Sequence, residues 1–220
     1  FRPVLKFIKA DRQRILIADG VGVGKTIEAG LILKELEARN DIQNILIICP
    51  KPLVSERKWQ DEMKSKFGES FTPLDGKAFK EAIEEASFNE EWDMRNYGKI
   101  IIPYSILLSR HTVETKKNKG LFNLPEPPKF DLVIVDEAHH VRNSNTQWYD
   151  AVKYFVDNAD AAIFLTATPI QTGDENLFTL LNLLRPDLVP DYETFKLLSA
   201  PNPFINQAVS ELRGHKEGWA

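Results

Sequence analysis

RILIADGVGVGKTIEAGLIL, residues 14–33, runs from an apolar strand through a glycine loop into an amphipathic helix. That succession predicts a phosphate grip. Gly20, Gly22 and Gly24 can take backbone angles closed to other residues, so the amides from Gly20 through Val21, Gly22 and Val23 to Gly24 can turn inward around phosphate oxygens. The helix beginning near Gly24 adds unpaired N–H groups and the positive end of its dipole. Lys25 supplies a mobile charge for the outer phosphates, and Thr26 a hydroxyl for the magnesium that accompanies them. The strict pattern G-x-x-x-x-G-K-[ST] asks for glycine where this chain has Asp19, so the match is to the shorter G-x-G-K-T core.

Outward from this loop, five apolar runs recur: Arg14 to Ala18, Asn44 to Cys49, Lys99 to Ile102, Asp131 to Val135 and Ala161 to Leu165. They are continuous rather than alternating, as strands buried on both faces are. Between them lie helical stripes: Trp59, Met63 and Phe67 at four-residue spacing, and Ile27, Leu31, Ile32 and Leu36 after the glycine loop. Strand alternating with helix predicts an α/β fold, a doubly wound and mostly parallel sheet with helices on both faces. Ligands of such sheets sit beyond the carboxyl ends of the strands.

The unusual residues lie at those ends. FDLVIVDEAHH, residues 130–140, closes a buried strand with Asp136 and Glu137 side by side, an arrangement that is costly without partners. A magnesium ion suits them. Asp136 would hold the ion, and Glu137 would orient and deprotonate the water that attacks the γ-phosphate. His139 and His140 lack the companions of a zinc site and fit packing or a relay toward the next loop. FLTATPIQ, residues 164–171, places Thr166 and Thr168 where they can sense the γ-phosphate or bond to the DEAH turn.

The chain has 220 residues, 43% hydrophobic and 27% charged, with a formal charge of -4 and a pI near 5.7. This is the profile of a globular domain. The acidic balance argues against nucleic-acid binding by bulk electrostatics alone, so any such contact is expected to be local. Cys49 stands alone, which excludes an intrachain disulfide and fits a reducing, intracellular setting. No run approaches the roughly 20 apolar residues of a membrane span, so no membrane partner is expected. Residues 77–95, with Glu81, Glu84, Glu85, Glu90, Glu91 and Asp93, read as a solvated helical face. Residues 114–129 read as a loop whose Lys116, Lys117 and Lys119 are either solvated or in contact with nucleic acid.

These motifs, in this order, resemble the first RecA-like domain of the superfamily-two helicases and translocases, and within it the Swi/Snf-like branch. The stretches that carry the resemblance are ADGVGVGKTIEAGLIL (18–33), LIICPKPLVSERKWQDEMKSKF (46–67), IPYSIL (102–107), VDEAHHVRN (135–143), LTATPIQ (165–171) and the helix NLFTLLNLLRPDLVPDYETF (176–195). The bacterial, RNA-polymerase-associated form is the nearest in character.

The resemblance covers nearly the whole chain. It implies a helicase-type ATP-binding domain over residues 1–220, with a RecA-like P-loop core to about residue 172 and a helical extension over about 173–220. It further implies hydrolysis of ATP with Mg2+, stimulated by duplex DNA, with Lys25, Asp136 and Glu137 as the catalytic set and His139, Thr166 and Thr168 as coupling residues. Pro50, Lys51, Ser55, Arg57 and Lys58 would touch the nucleic-acid backbone, as would Tyr104 and Ser105. Ser55 equally fits a helix N-cap, and Lys58 a solvated side chain. A cytoplasmic location in a bacterium or archaeon and association with RNA polymerase belong to the same expectation.

Three features depart from the pattern. Gly20 stands where the family usually has glutamate. The adenine-reading glutamine falls ahead of Phe1, since Gln13 is too close to the loop. The second RecA-like domain, which brings arginine fingers, lies outside these 220 residues, so poor turnover by the isolated chain is expected. Two other functions remain open at this point: an RNA helicase or restriction-type motor subunit, and a nucleotide-dependent binding module without turnover. IEAGLIL speaks against the first and Glu137 against the second.

Overall fold

Every one of the five apolar runs forms a strand, within two residues of the expected bounds. The computed structural model describes residues 2–18, 20, 24–40, 42–89, 98–108, 120–167 and 174–200. Val21, Gly22, Val23, Thr168 and the three lysines 116, 117 and 119 lie outside them, as do Glu90, Glu91 and Asp93 and residues 201–220. The strands are β1 (Arg14–Ala18), β2 (Ile45–Cys49), β3 (Thr72–Pro73), β4 (Lys99–Pro103), β5 (Phe130–Val135) and β6 (Ala159–Thr166). They form one sheet in the order β1-β6-β5-β2-β4-β3, and every pairing is parallel.

Alternation along the strands divides the core in two. Ile45, Ile47 and Cys49 of β2 face one layer with Leu132 and Ile134 of β5, under α1 (Arg2–Lys9), α2 (Lys25–Arg39) and α4 (Lys58–Phe67). Leu46 and Ile48 face the other with Val133 and Val135, under α5 (Gly76–Asn89), α6 (Gln147–Asp157) and α7 (Asp174–Leu184). A sheet buried on both faces needs apolar residues at every strand position, which is why its sequence does not alternate. The short α3 (Lys51–Ser55) links β2 to α4, and α8 (Tyr192–Ser199) follows α7. On α2 the buried seam is Ala29, Ile32, Leu33 and Leu36, while Ile27 and Leu31 are half-buried on its flank.

Two elements differ from expectation. Residues 176–195 are not one helix: α7 ends at Leu184 and α8 begins at Tyr192. Pro186 disfavours helical geometry at Arg185, and Pro190 lies in the same break, with Asp191 accepting the Thr194 N–H as the cap of α8. The two-residue β3 at the sheet edge was not expected. Its Pro73 has no N–H for a ladder, which an edge strand tolerates. Among the described residues no helix is long and apolar enough to cross a membrane.

Candidate active site

Parallel pairing sets all strand ends on one side, and β5 and β6 lie between β1 and β2. The loop after β1 therefore sits two strands from the turn after β5. Thr166, fully buried, is registered beside Ala18 at the end of β1. The two expected halves of the site meet across this edge: Gly24, Lys25, Thr26 and Ile27 line the same cleft as Asp136 and Glu137. The cleft encloses about 260 Å³, and Leu53, Lys58, Glu62 and Lys66 close its third side.

On the β1 side, Gly24 adopts φ 91°, a left-handed conformation that lets α2 start abruptly at Lys25. The Lys25 ammonium donates to the Gly20 carbonyl at 3.0 Å and so lies back along its own loop. The amides of Ile27 and Glu28 bond to the Gly24 carbonyl, which closes the first turn.

On the β5 side, Asp136 is held from several directions. Its N–H continues the ladder by donating to Ile48 O at 2.8 Å. Its Oδ1 accepts from the Glu137 N–H at 2.8 Å, and its Oδ2 from the indole Nε1–H of Trp59 at 2.8 Å. Its carbonyl accepts the Tyr104 hydroxyl at 2.9 Å. Only 7% of Asp136 is exposed, and burial raises its carboxyl pKa against the opposing hydrogen bonds from Trp59 and Glu137. Glu137 then takes φ 51°, ψ 49°, a left-handed geometry unusual for a residue with a side chain. That bend turns the chain away from the sheet and into the short 3₁₀ turn Ala138–Val141.

The Glu137 carboxylate lies 3.2 Å from His139 Nδ1, close enough to pair if the imidazole is protonated, though without hydrogen-bond alignment. His139 stacks on His140 at 4.5 Å between ring centroids, and His140 packs against Tyr104 and Trp148. Burial, and then the neighbouring His139, push the His140 pKa down. This aromatic cluster anchors the turn that carries Glu137.

The residues expected to meet nucleic acid separate into three groups. Lys51, Ser55, Arg57 and Lys58 are all exposed around the corner between α3 and α4, where Arg57 takes a left-handed φ of 57°. Lys58 also borders the cleft. Ser55 does not cap α4; it ends α3 and returns its hydroxyl to Lys51 O at 3.1 Å. The Tyr104 side chain is a correction: it is 3% exposed and its hydroxyl is engaged by Asp136, so it does not present a surface to a nucleic-acid backbone. Ser105 is half-buried. Helical spacing places Trp59 in an apolar stripe and does not point to Asp136; that a buried tryptophan needs a partner for its N–H is the signal for this further role.

The SNF2-related domain model matches residues 4–213. RNA polymerase-associated protein RapA of Vibrio atlanticus is 34% identical over 185 residues, covering 83% of this chain and 18% of that protein. The RapA of Yersinia pestis is 32% identical over 187 residues with the same coverage, so the chain spans under a fifth of the length of these relatives. Among solved structures, the Sulfolobus solfataricus SWI2/SNF2 ATPase core in complex with dsDNA superposes with a TM-score of 0.61 at 23% identity. That match covers 89% of this chain and 35% of the other, and it shows a shared fold. With the family model matched over most of its length, this chain belongs to the SNF2-related domain family.

Proposed function

We propose that this domain binds and hydrolyses ATP as the first RecA-like half of a Swi/Snf-like motor that moves along duplex DNA. One observation carries the reading: Lys25 and Thr26 after β1 and Asp136 and Glu137 after β5 line one cleft of about 260 Å³. Lys25, now resting on Gly20 O, would swing to the outer phosphates, while the loop from Gly20 to Gly24 and the first amides of α2 cradle them. Glu137, held at the cleft by its left-handed backbone, would take the proton of the attacking water, a role worth about 10²- to 10⁴-fold in rate.

The donor set fits magnesium. Such an ion is held by one or two protein groups plus phosphate oxygens and waters. Here Thr26 and Asp136 share the cleft, and each Asp136 oxygen accepts one hydrogen bond and keeps a lone pair in reserve. Magnesium in that place would neutralise charge on the transferring phosphate.

The corner of Lys51, Ser55, Arg57 and Lys58 is the proposed contact with the DNA backbone, and Ser105, in the turn after β4, is proposed as a further contact. Thr166 and Thr168, with His139, are assigned to coupling between nucleotide and DNA. A second RecA-like domain would supply arginine fingers, worth about 10³- to 10⁵-fold in related phosphoryl transfer, so the 220-residue chain alone should turn over slowly. The likeness to the RNA polymerase-associated RapA proteins makes RNA polymerase a candidate partner, in the cytoplasm of a bacterium or archaeon.

The test is the ATPase rate of the full-length protein with duplex DNA, single strands or RNA, beside Lys25→Ala and Glu137→Gln. Lys25→Ala should weaken nucleotide binding, whereas Glu137→Gln should abolish turnover and leave binding intact. Unchanged turnover in both variants would refute the site, and stimulation by RNA alone would refute the translocase.

A further inference from the structure

We infer that Trp59 and Tyr104 are positioning residues for Asp136, holding the carboxylate in the one orientation that serves magnesium. The inference rests on the proposed role of Asp136 as a magnesium ligand and adds the groups that aim it. Trp59 comes from α4, after β2, and is 1% exposed; its indole N–H reaches Asp136 Oδ2 at 2.8 Å. Tyr104 comes from the turn after β4 and fixes the Asp136 carbonyl at 2.9 Å. The Glu137 N–H occupies Oδ1.

These three donors approach from three chain segments, so neither rotation of the carboxylate nor a shift of its backbone is free. A buried tryptophan needs an acceptor for its N–H, and here the acceptor is a carboxylate 77 positions away at the cleft rather than a carbonyl of the surrounding core. Groups of this kind around a metal ligand typically set affinity by about 10- to 100-fold when removed. A hydroxyl acting on the ligand's carbonyl has a smaller lever, about 2- to 10-fold, the size of one net hydrogen bond.

The experiment uses Trp59→Phe, which keeps an aromatic ring in the core without the donor, and Tyr104→Phe, which removes the hydroxyl alone. In the full-length protein, binding of a fluorescent ATP analogue is measured in EDTA and then across a magnesium titration. The expected result is a half-saturating magnesium concentration raised about 10- to 100-fold by Trp59→Phe and less by Tyr104→Phe, with binding in EDTA unchanged. In an Asp136→Asn background, Trp59→Phe should add nothing.

A half-saturating concentration within about twofold of the parent in folded Trp59→Phe would overturn the inference, as would an equal loss with and without magnesium. Thermal melting establishes that the variant is folded. Should Trp59→Phe fail to fold, Tyr104→Phe decides: an unchanged magnesium titration overturns the inference, and a weakened one sustains it. A parent that binds the analogue without any magnesium dependence would instead remove the role of Asp136 itself, and the inference with it.

Discussion

Gly30 lies buried in the middle of α2, where helix propensity alone would favour alanine by about 1 kcal/mol. The structure reverses that preference. A Cβ built on Gly30 would stand 2.1, 2.5 and 2.7 Å from three atoms of the Phe67 ring at the end of α4. A rigid ring cannot yield by bending, so it would have to swing outward or push the two helices apart. Overpacking of this kind costs about 1–3 kcal/mol, which leaves Gly30→Ala net destabilised by about 0–2 kcal/mol. For a domain of this size that lowers Tm by about 2–4 °C per kcal/mol. The sharper readout is a double-mutant cycle in urea. In a Phe67→Ala background the obstruction is gone, and Gly30→Ala should stabilise by about 1 kcal/mol, giving a coupling of about 1–3 kcal/mol between the two sites. If Gly30→Ala stabilises equally in both backgrounds, additive within about 0.5 kcal/mol, the close approach of Phe67 is not what keeps glycine there.

Three further outcomes are expected. Cys49 is fully buried and its thiol is pushed up to about 12, first by burial and then by Asp136, so thiol reagents at neutral pH should modify it only on unfolding. Because its folded pKa lies above the ordinary thiol value of about 8.5, its contribution to stability is complete below that pH and is lost as pH rises toward 12. Unfolding free energies from urea titrations at pH 8, 9 and 10 should therefore fall more steeply for the parent than for Cys49→Ala, by up to about 1.4 kcal/mol per pH unit, and parallel curves would count against it. Asp131 Oδ2 accepts the N–H groups of Gln43 at 2.7 Å and Asn44 at 2.8 Å, which pins the entry of β2 to β5. Asp131→Ala should cost about 1–3 kcal/mol by denaturant unfolding, with Asp131→Asn recovering part because an acceptor oxygen remains.

The strands were legible because a sheet buried on both faces leaves an unbroken run of Ile, Val and Leu, a local pattern that needs no partner to be read. The same locality explains the misses. At β3 the pairing is supplied by β4, and the two residues Thr72 and Pro73 carry no periodicity of their own. Residues 176–195 were read as one helix on family likeness, although Pro186 and Pro190 carried a local signal of the break. Trp59 and Met63 announced a buried face, and both are buried. What periodicity could not announce is that the Trp59 indole lies across the layer from Asp136. Tyr104 shows the same limit: its motif suggested an outward role, and the sheet turns it inward onto a carbonyl.

The order of the strands gives these long-range contacts their point. Because β5 is flanked by β2 and β6, the turn after it is next to the segments that follow β2 and, one strand further, β4. Asp136 is thus the place where three loops meet, and two of them are the loops proposed to face DNA. Arg57, at the exposed corner, is the N-cap of α4 and precedes Trp59 by two residues. A phosphate drawn to that corner need not act through the sheet to reach the nucleotide. If DNA binds there as proposed, a shift of α4 by about a few tenths of an ångström would alter the Trp59–Asp136 hydrogen bond, now 2.8 Å, and so reach the carboxylate. On this reading Trp59→Phe should lower the ratio of DNA-stimulated to basal turnover more than it lowers basal turnover itself. Equal losses in both rates would mean that α4 aims the carboxylate without reporting on DNA.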